Sequence, residues 1–200
     1  MARHYFGYGS LVNAGTRQPG ETAFPCVLEG WRRTWTHFYQ APRDPGRSLS
    51  IREEAGHQIA GVVVELQDNA LARLDERERG YERLELDGAL FDLAGGLCPD
   101  SVYVYRSLST VPENGLQTHP ILRSYMDVVM QGYRDNFGDR GLEDLLASTD
   151  HWAGSVRQDR DAPMYPRAVT LRPGETALFD QALSKAQSAE LARTLSHKVP

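Results

Sequence analysis

The sequence predicts an α+β fold, with a small mixed, barrel-like β-sheet and helices packed outside it. Strand-like segments fill the first half of the chain with one short helical segment among them, and the longer helical segments come late. That order differs from the regular alternation of strands and helices in a parallel-sheet protein. The 200 residues, 40% of them hydrophobic, suit one domain with its own core. We expect a single domain over 1–200, with a core over about 3–170.

The predicted strands are short apolar or aromatic segments bounded by turn residues. The first ends at Gly9-Ser10 and precedes a turn-forming segment over 13–22. The second segment is one long bent strand or two, and a loop over 41–47 follows it. A run rich in β-branched residues then marks a central strand. The predicted strands cover 3–8, 25–39, 57–66, 81–86 and 101–106.

Apolar residues at helical spacing predict four helices. The first has candidate N-caps at Asp68 and Asn69 and ends at Gly80. The longest has Pro120 at an early helical position. An extended, proline-rich segment over 161–173 precedes the last helix. The first helix begins near residue 70, and the other three cover 119–137, 141–148 and 179–197.

The composition excludes several classes of protein. A net charge of −5 argues against a nucleic-acid partner, and no stretch approaches the 18 apolar residues of a membrane span. The two lysines, Lys185 and Lys198, do not form a phosphate-binding P-loop, and no histidine pattern suggests zinc. No apolar signal segment follows the first residues, so we expect a cytoplasmic protein with Cys26 and Cys98 reduced. We predict no metal and no cofactor.

The segment from Gly7 to Val12 begins like a dinucleotide-binding fingerprint. Valine stands where the third glycine should be, and turn residues follow where a helix should start, so a Rossmann site is excluded. Gly9 still permits a tight turn and a close ligand, and Ser10 adds a donor. Consecutive backbone N–H groups after a strand can form an anion-binding nest. The alternative is an ordinary turn between a strand and a loop.

Glu78 is predicted to lie in the last turn of the first helix. The helix dipole disfavours a carboxylate anion there, and burial would also raise its pKa towards that of a general base. Arg77 and Arg79 flank it, so a solvated charge cluster is the alternative. Neither Ser10 nor Ser155 lies in the Gly-x-Ser-x-Gly motif of a serine hydrolase.

Taken together, the two motifs resemble the gamma-glutamylcyclotransferase family, including its cation-transport-regulator-like and gamma-glutamylamine cyclotransferase relatives. The first motif is Phe6–Leu11, and Leu74–Tyr81 follows some 65 residues later. The segment Gly30–Arg33 looks like the family's second strand, and Ser124–Gly132 looks like a helix that supplies a tyrosine to the substrate. The resemblance covers residues 3–170 and implies a small, barrel-like mixed sheet.

The resemblance implies that the loop of Tyr8, Gly9, Ser10 and Leu11 binds the α-carboxylate of a glutamyl group. Glu78 would be the general acid and base. Tyr125 would contact the substrate, although a tyrosine on that apolar helix face is equally suited to the core. Tyr165 is a further candidate for the cavity wall.

The implied reaction is cyclisation of a γ-glutamyl amino acid or peptide to 5-oxoproline, with release of the free amine and without a cofactor. Three alternatives stay open. The substrate is glutathione, it is a γ-glutamyl amine, or the chain is a non-catalytic binding module of the same fold. In each case the expected partner is a small γ-glutamyl molecule, with no nucleic acid and no membrane. The sequence predicts no oligomeric state.

Overall fold

A computed structural model describes residues 2–39, 45–67, 70–93 and 99–196. Within these residues the strands form one sheet of seven and a second sheet of two. Three helices accompany them: α1 (Ala70–Arg77), α2 (Arg123–Ala147) and α3 (Glu175–Ser196). The strands are β1 (Arg3–Gly7), β2 (Ala23–Tyr39), β3 (Gly46–Leu66), β4 (Tyr81–Asp87), β5 (Phe91–Leu93), β6 (Ser101–Ser107), β7 (Ile121–Leu122), β8 (Thr149–Asp150) and β9 (Val156–Arg157).

The large sheet is mixed and curls into a half-barrel, which confirms the predicted fold class. Its strand order is β4-β6-β1-β3-β2-β5, with β8 added to β2. β1 is antiparallel to β3 and parallel to β6. The long β2–β3 pair has two register shifts, after Glu29 and after Thr34. Such irregularities bend strands and increase their twist, which suits a sheet that curls around a core.

The core lies between the curled sheet and α2. Val62, Val63 and Val64 in β3 are all fully buried, as the predicted central strand requires. The Trp35 ring on β2 meets the Trp152 ring edge to face, with 5.2 Å between ring centroids. These contacts fix the sheet on which the loop after β1 and the end of α1 are mounted.

The strand predictions need one correction. The second predicted segment is one long strand, β2, and not two strands. β3 begins at Gly46 and not at residue 57, so the loop predicted over 41–47 is wrong at residues 46 and 47. Backbone pairing of Phe38 with Arg47 continues the ladder through this polar stretch. The pairing with β2 therefore decides the structure where the local pattern is weak. Residues 41–44 lie outside the described residues.

The predicted start of the long helix is also wrong. Ile121 and Leu122 pair with β9 as a short strand, and α2 begins at Arg123. The Asp159 carboxylate accepts hydrogen bonds from the backbone N–H and the hydroxyl of Ser124, at 2.8 and 2.5 Å. This remote side chain supplies the cap that fixes the first turn, so Pro120 lies before the helix.

The remaining helices agree with the predictions except at their ends. α1 is confirmed, although its candidate caps Asp68 and Asn69 lie outside the described residues. The two predicted helices over 119–137 and 141–148 form one element, α2, interrupted at Gly138, whose φ of 69° favours glycine. α3 starts at Glu175, four residues before the predicted start, because its carboxylate accepts the Arg172 backbone N–H at 2.8 Å.

The structure also describes the helices and one of the two cysteines in terms that bear on a membrane span and on a disulfide. None of the three described helices combines the length and the apolar character that crossing a membrane requires. Cys26 is a buried free thiol, and burial raises its pKa to about 12. Cys98 lies outside the described residues.

Candidate active site

A cavity of about 390 Å³ opens between the curled sheet, the end of α1 and the irregular segment before α3. β2 and β3 form one wall, the last turn of α1 forms another, and residues around the start of α2 form a third. Aromatic side chains and arginines dominate these walls. Lining residues include His37, Tyr39, Ser48, Arg77, Glu78, Tyr81, Leu122, Tyr125, Met164 and Tyr165.

A recess of about 30 Å³ adjoins this cavity. This is more than the roughly 10–15 Å³ that a single water molecule needs on the same measure, so it fits a small polar group such as a carboxylate. All six residues predicted for the site line it: Tyr8, Gly9, Ser10, Leu11, Glu78 and Tyr125. Glu78, Ser10 and Tyr125 also line the large cavity, so they lie where the two spaces meet.

The loop after β1 forms a tight 3-10 turn over Ser10–Val12. The Val12 N–H donates to the Gly9 carbonyl at 3.1 Å. The N–H groups of Ser10 and Leu11 precede this first bond and have no partner within the turn. A Cβ added at Gly9 would lie 3.0 Å from the Tyr125 hydroxyl, so the glycine permits this close approach. The turn therefore presents backbone donors beside a tyrosine hydroxyl.

Two helices hold this loop in place. From α1, the Arg77 guanidinium donates to the Thr16 carbonyl at 2.5 Å and to the Ser10 hydroxyl at 3.3 Å. From α2, the Asn136 side chain donates to the Val12 carbonyl at 3.0 Å. The Asn13 side chain donates in turn to the carbonyl of Val128 in α2, also at 3.0 Å. The loop is thus fixed before any ligand binds.

The carboxylate of Glu78 lies just beyond the end of α1. The Glu78 N–H still donates to the Leu74 carbonyl at 2.9 Å, and the chain then turns at Gly80, whose φ is 99°. The side chain is 17% exposed, which leaves it open towards the cavity and largely shielded elsewhere. Burial raises the pKa of this carboxyl group, and the nearby charges of Arg77 and Arg167 oppose that shift.

Tyrosine hydroxyls form much of the recess wall. The Tyr8 hydroxyl donates to the Tyr105 carbonyl at 2.6 Å, and the Tyr81 hydroxyl donates to the Leu49 carbonyl at 2.8 Å. Burial raises the pKa of Tyr8, Tyr81 and Tyr125 well above the usual value, so all three are neutral donors at physiological pH.

Tyr125 packs in the core of the fold and also borders the two cavities. Its ring packs edge to face on Trp35 and on Tyr165, with centroids 5.8 and 4.9 Å apart. It is 8% exposed and borders both the recess and the large cavity. Tyr165 lines the large cavity but not the recess.

His37 also lines the cavity, although no sequence motif marks it. Its ring stacks on Tyr81, with 3.9 Å between centroids. The Ser107 hydroxyl donates to the Ser109 carbonyl at 2.6 Å, so it accepts from Nδ1 of His37 at 2.7 Å. Burial lowers the pKa of His37 to about 4, which leaves the ring neutral and Nε2 an acceptor. Only strand pairing brings this residue to the site.

Comparison with known protein families gives one sequence match. A family model described as "Gamma-glutamyl cyclotransferase, AIG2-like" matches residues 5–123. The chain belongs to this family. The matched segment includes the loop after β1 and Glu78, whereas Tyr125 and Tyr165 follow it.

Solved structures share the fold of this AIG2-like chain. A gamma-glutamyl cyclotransferase is 16% identical with a TM-score of 0.58, and the alignment covers 90% of this chain and 99% of that one. An uncharacterized protein from Homo sapiens is 17% identical with a TM-score of 0.57, covering 90% and 98%. YkqA from Bacillus subtilis is 20% identical with a TM-score of 0.56, covering 78% and 56%. A sequence search of curated proteins found no match.

The site of this AIG2-like protein offers one carboxylate, several neutral hydroxyls and backbone donors. Among the residues that the structure describes, no group of three or more His, Cys, Asp or Glu side chains is arranged to hold a metal ion. The groups present can bind an anion in the recess and can exchange a proton at Glu78.

Proposed function

We propose that this AIG2-like protein is a γ-glutamyl cyclotransferase. It cyclises the glutamyl part of a γ-glutamyl amide, such as a γ-glutamyl amino acid or peptide, to 5-oxoproline and releases the amine. The observation that carries the proposal is the position of Glu78 at the junction of an anion-sized recess and a larger cavity. Its raised pKa suits a group that must both accept and return a proton.

In this proposal the recess binds the α-carboxylate of the glutamyl group. The N–H groups of Ser10 and Leu11 and the Ser10 hydroxyl are the donors for the carboxylate oxygens. Fixing this end bends the flexible glutamyl chain so that its α-amine reaches its own γ-carbonyl. Intramolecular reactions held in such a geometry reach effective molarities of roughly 10⁵–10⁸ M. The loop therefore contributes by orienting the substrate.

Glu78 carries the proton in two steps. The α-ammonium group, with an ordinary pKa near 8, gives a proton to the carboxylate, and the free amine attacks the γ-carbonyl carbon. A new C–N bond closes the five-membered ring. As the old C–N bond breaks, Glu78 returns the proton to the departing nitrogen. The ring nitrogen, positively charged after the attack, loses its second proton to the released amine, which leaves as an ammonium ion. General acid–base catalysis of this kind contributes about 10²–10⁴-fold. The reaction needs no external nucleophile and no oxidant.

Direct detection of the product tests the proposal. The purified protein would be incubated with γ-glutamyl amino acids, glutathione and γ-glutamyl amines, and 5-oxoproline would be measured by chromatography. We expect 5-oxoproline from at least one class. If none of these compounds yields 5-oxoproline although one of them binds, the chain is a binding module of this fold and the proposal is wrong.

A further inference from the structure

We propose that the large cavity receives the departing amine and selects one that carries a carboxylate. The preferred substrates would then be γ-glutamyl amino acids or peptides with a free carboxylate, over γ-glutamyl derivatives of neutral or cationic amines. This inference rests on the proposed function, because it takes the glutamyl group to occupy the recess. The remainder of the substrate must then extend past Glu78 into the large cavity.

The charge on the walls of the large cavity is strongly unequal. Among the described residues that line it, Glu78 is the single carboxylate. Two of the arginines are matched by acidic partners, since Arg77 lies 3.3 Å from Glu78 and Arg79 pairs with Glu76. The arginines on these walls are Arg47, Arg77, Arg79, Arg157 and Arg167. Arg47 and Arg167 form no ion pair among the described residues, so the walls carry an excess of positive charge even when Arg157 is not counted.

Arg47 supplies part of this excess from inside the protein. Its side chain is fully buried and donates to the carbonyl oxygens of Trp35, His119 and His151, at 2.8 to 2.9 Å. Among the described residues no carboxylate lies within ion-pair distance of it, and its Nη2 has no hydrogen-bond partner. Burial lowers its pKa to about 10, so it stays cationic at neutral pH. The Glu190 carboxylate, beyond ion-pair distance, opposes this shift in pKa, so it offsets part of the Arg47 charge. A buried cation without an ion-pair partner still creates a positive potential in an adjoining cavity.

Arg167 is placed to contact a carboxylate directly. It is exposed and follows Tyr165 in the irregular segment that lines the large cavity but not the recess. Within the described residues its guanidinium makes no hydrogen bond or ion pair. Its charge nevertheless lowers the pKa of Glu78, so it acts near the reacting group. A guanidinium with open donors suits bidentate binding of a carboxylate.

The other walls add no charge that would offset these arginines. His37 is neutral at physiological pH, and Tyr81 and Tyr125 are neutral hydroxyls. The rings of these residues and of Tyr165 exclude water from one side of the cavity, which strengthens the attraction between a carboxylate and the arginines. A cationic leaving group would meet repulsion from the same charges. The cavity therefore discriminates by the charge on the amine.

Three matched substrates test this inference: γ-glutamylalanine, γ-glutamylalanine amide, and the γ-glutamyl derivative of 1,4-diaminobutane. They carry an anionic, a neutral and a cationic leaving group. We expect kcat/KM for 5-oxoproline release to be at least about tenfold higher for the acid than for its amide, as for one charged hydrogen bond. It should be lowest for the cationic compound. The preference for the acid should shrink at high salt.

The variant Arg167→Gln tests the residue. It should raise KM for the acid and bring the ratio of acid to amide towards one. The substitution also changes the pKa of Glu78, and this change affects the acid and the amide alike. The rate with the amide therefore measures the pKa effect, and the ratio of acid to amide measures recognition of the leaving group. Arg140→Gln, at an exposed arginine on α2, is the matched control and should leave the ratio unchanged.

Each outcome separates the inference from the function on which it rests. Equal kcat/KM for acid and amide, a preference for the cationic compound, or an unchanged ratio in Arg167→Gln would overturn the inference while the cyclotransferase assignment stands. Absence of 5-oxoproline from all three compounds, with glutathione also inactive, would overturn the proposed function itself.

Discussion

At the scale of single residues, Glu78 illustrates how burial and neighbouring charge set the state of a carboxyl group. Shielding by the cavity walls disfavours the anion, whereas Arg77 and Arg167 favour it. Burial is the larger effect, so the pKa is raised. A group in this balance can exchange a proton with an amine in the cavity. Because the fold disfavours the ionised carboxylate, Glu78 lowers the stability of the folded protein at neutral pH.

The variant Glu78→Gln should be more stable than the wild type at pH 7. A carboxyl group with a raised pKa in the folded state stabilises the fold fully below its unfolded pKa of about 4.3, and this contribution is lost as pH rises through the folded pKa. Glutamine does not ionise, so the variant does not lose this stability as the pH rises. Thermal unfolding at pH 7 and at pH 4 measures the difference, which should be clear at pH 7 and vanish at pH 4. Equal destabilisation at both pH values would contradict it.

Residues of the site differ in how far the sequence could predict them. The loop and Glu78 lie in short local motifs, so their neighbourhood could be inferred from a resemblance. His37, Arg47 and Arg167 have no such local signal. His37 reaches the cavity through the pairing of β2, and Arg47 is buried by contacts with carbonyls far along the chain. Neither neighbourhood can be read from adjacent residues.

At the scale of elements, the contact between the loop after β1 and α2 decides how rigid the anion-binding recess is. Gly132 in α2 packs directly on Asn13, since an added Cβ would lie 2.6 Å from the Asn13 backbone nitrogen. A side chain here would force the helix and the loop apart. The hydrogen bond from Asn13 to Val128 would then lengthen as well.

The variant Gly132→Ala should therefore weaken substrate binding and lower stability. Overpacking of this kind costs about 1–3 kcal/mol, and displacement of the loop should raise KM more than it lowers kcat. Urea unfolding and steady-state kinetics measure the two effects. The control is Glu143→Ala, an exposed position on the same helix. Unchanged KM in Gly132→Ala would show that the loop does not depend on this contact.

Element boundaries show where local pattern is insufficient. The start of β3 is polar, and its sequence predicts a loop, yet its ladder with β2 begins at Gly46. The start of α2 is set by Asp159, which lies 35 residues later than Ser124. Periodicity predicts which elements exist, but partners from distant segments set their ends. The second half of β3, over 57–66, and the interior of α2 on either side of Gly138 followed the prediction.

At the scale of the whole molecule, α3 ties together elements that surround the site. The Phe179 ring is fully buried, and the Asp180 carboxylate accepts from the buried Arg123 of α2 at 2.8 Å. The Glu190 carboxylate accepts the backbone N–H groups of His151 and Ala153, at 2.7 and 2.6 Å. This helix therefore secures both α2 and the segment after β8, although it lines neither the recess nor the large cavity.

The variant Phe179→Ala should cost about 3–5 kcal/mol of unfolding free energy, because it removes a large, fully buried ring. Leu191→Ala on the same helix is the control, since Leu191 is 55% exposed and its truncation should change stability by less than about 0.5 kcal/mol. Urea unfolding compares them. A loss of similar size in both variants would mean that α3 does not act through this anchor.

Release of 5-oxoproline by Glu78→Gln measures directly whether Glu78 transfers the proton during cyclisation. The matched control is Glu76→Gln, which removes a carboxylate that is 68% exposed two residues away. With circular dichroism showing both variants folded, we expect kcat to fall by about 10²–10⁴-fold in Glu78→Gln and to stay near the wild-type value in Glu76→Gln. Wild-type turnover in folded Glu78→Gln would show that another group transfers the proton.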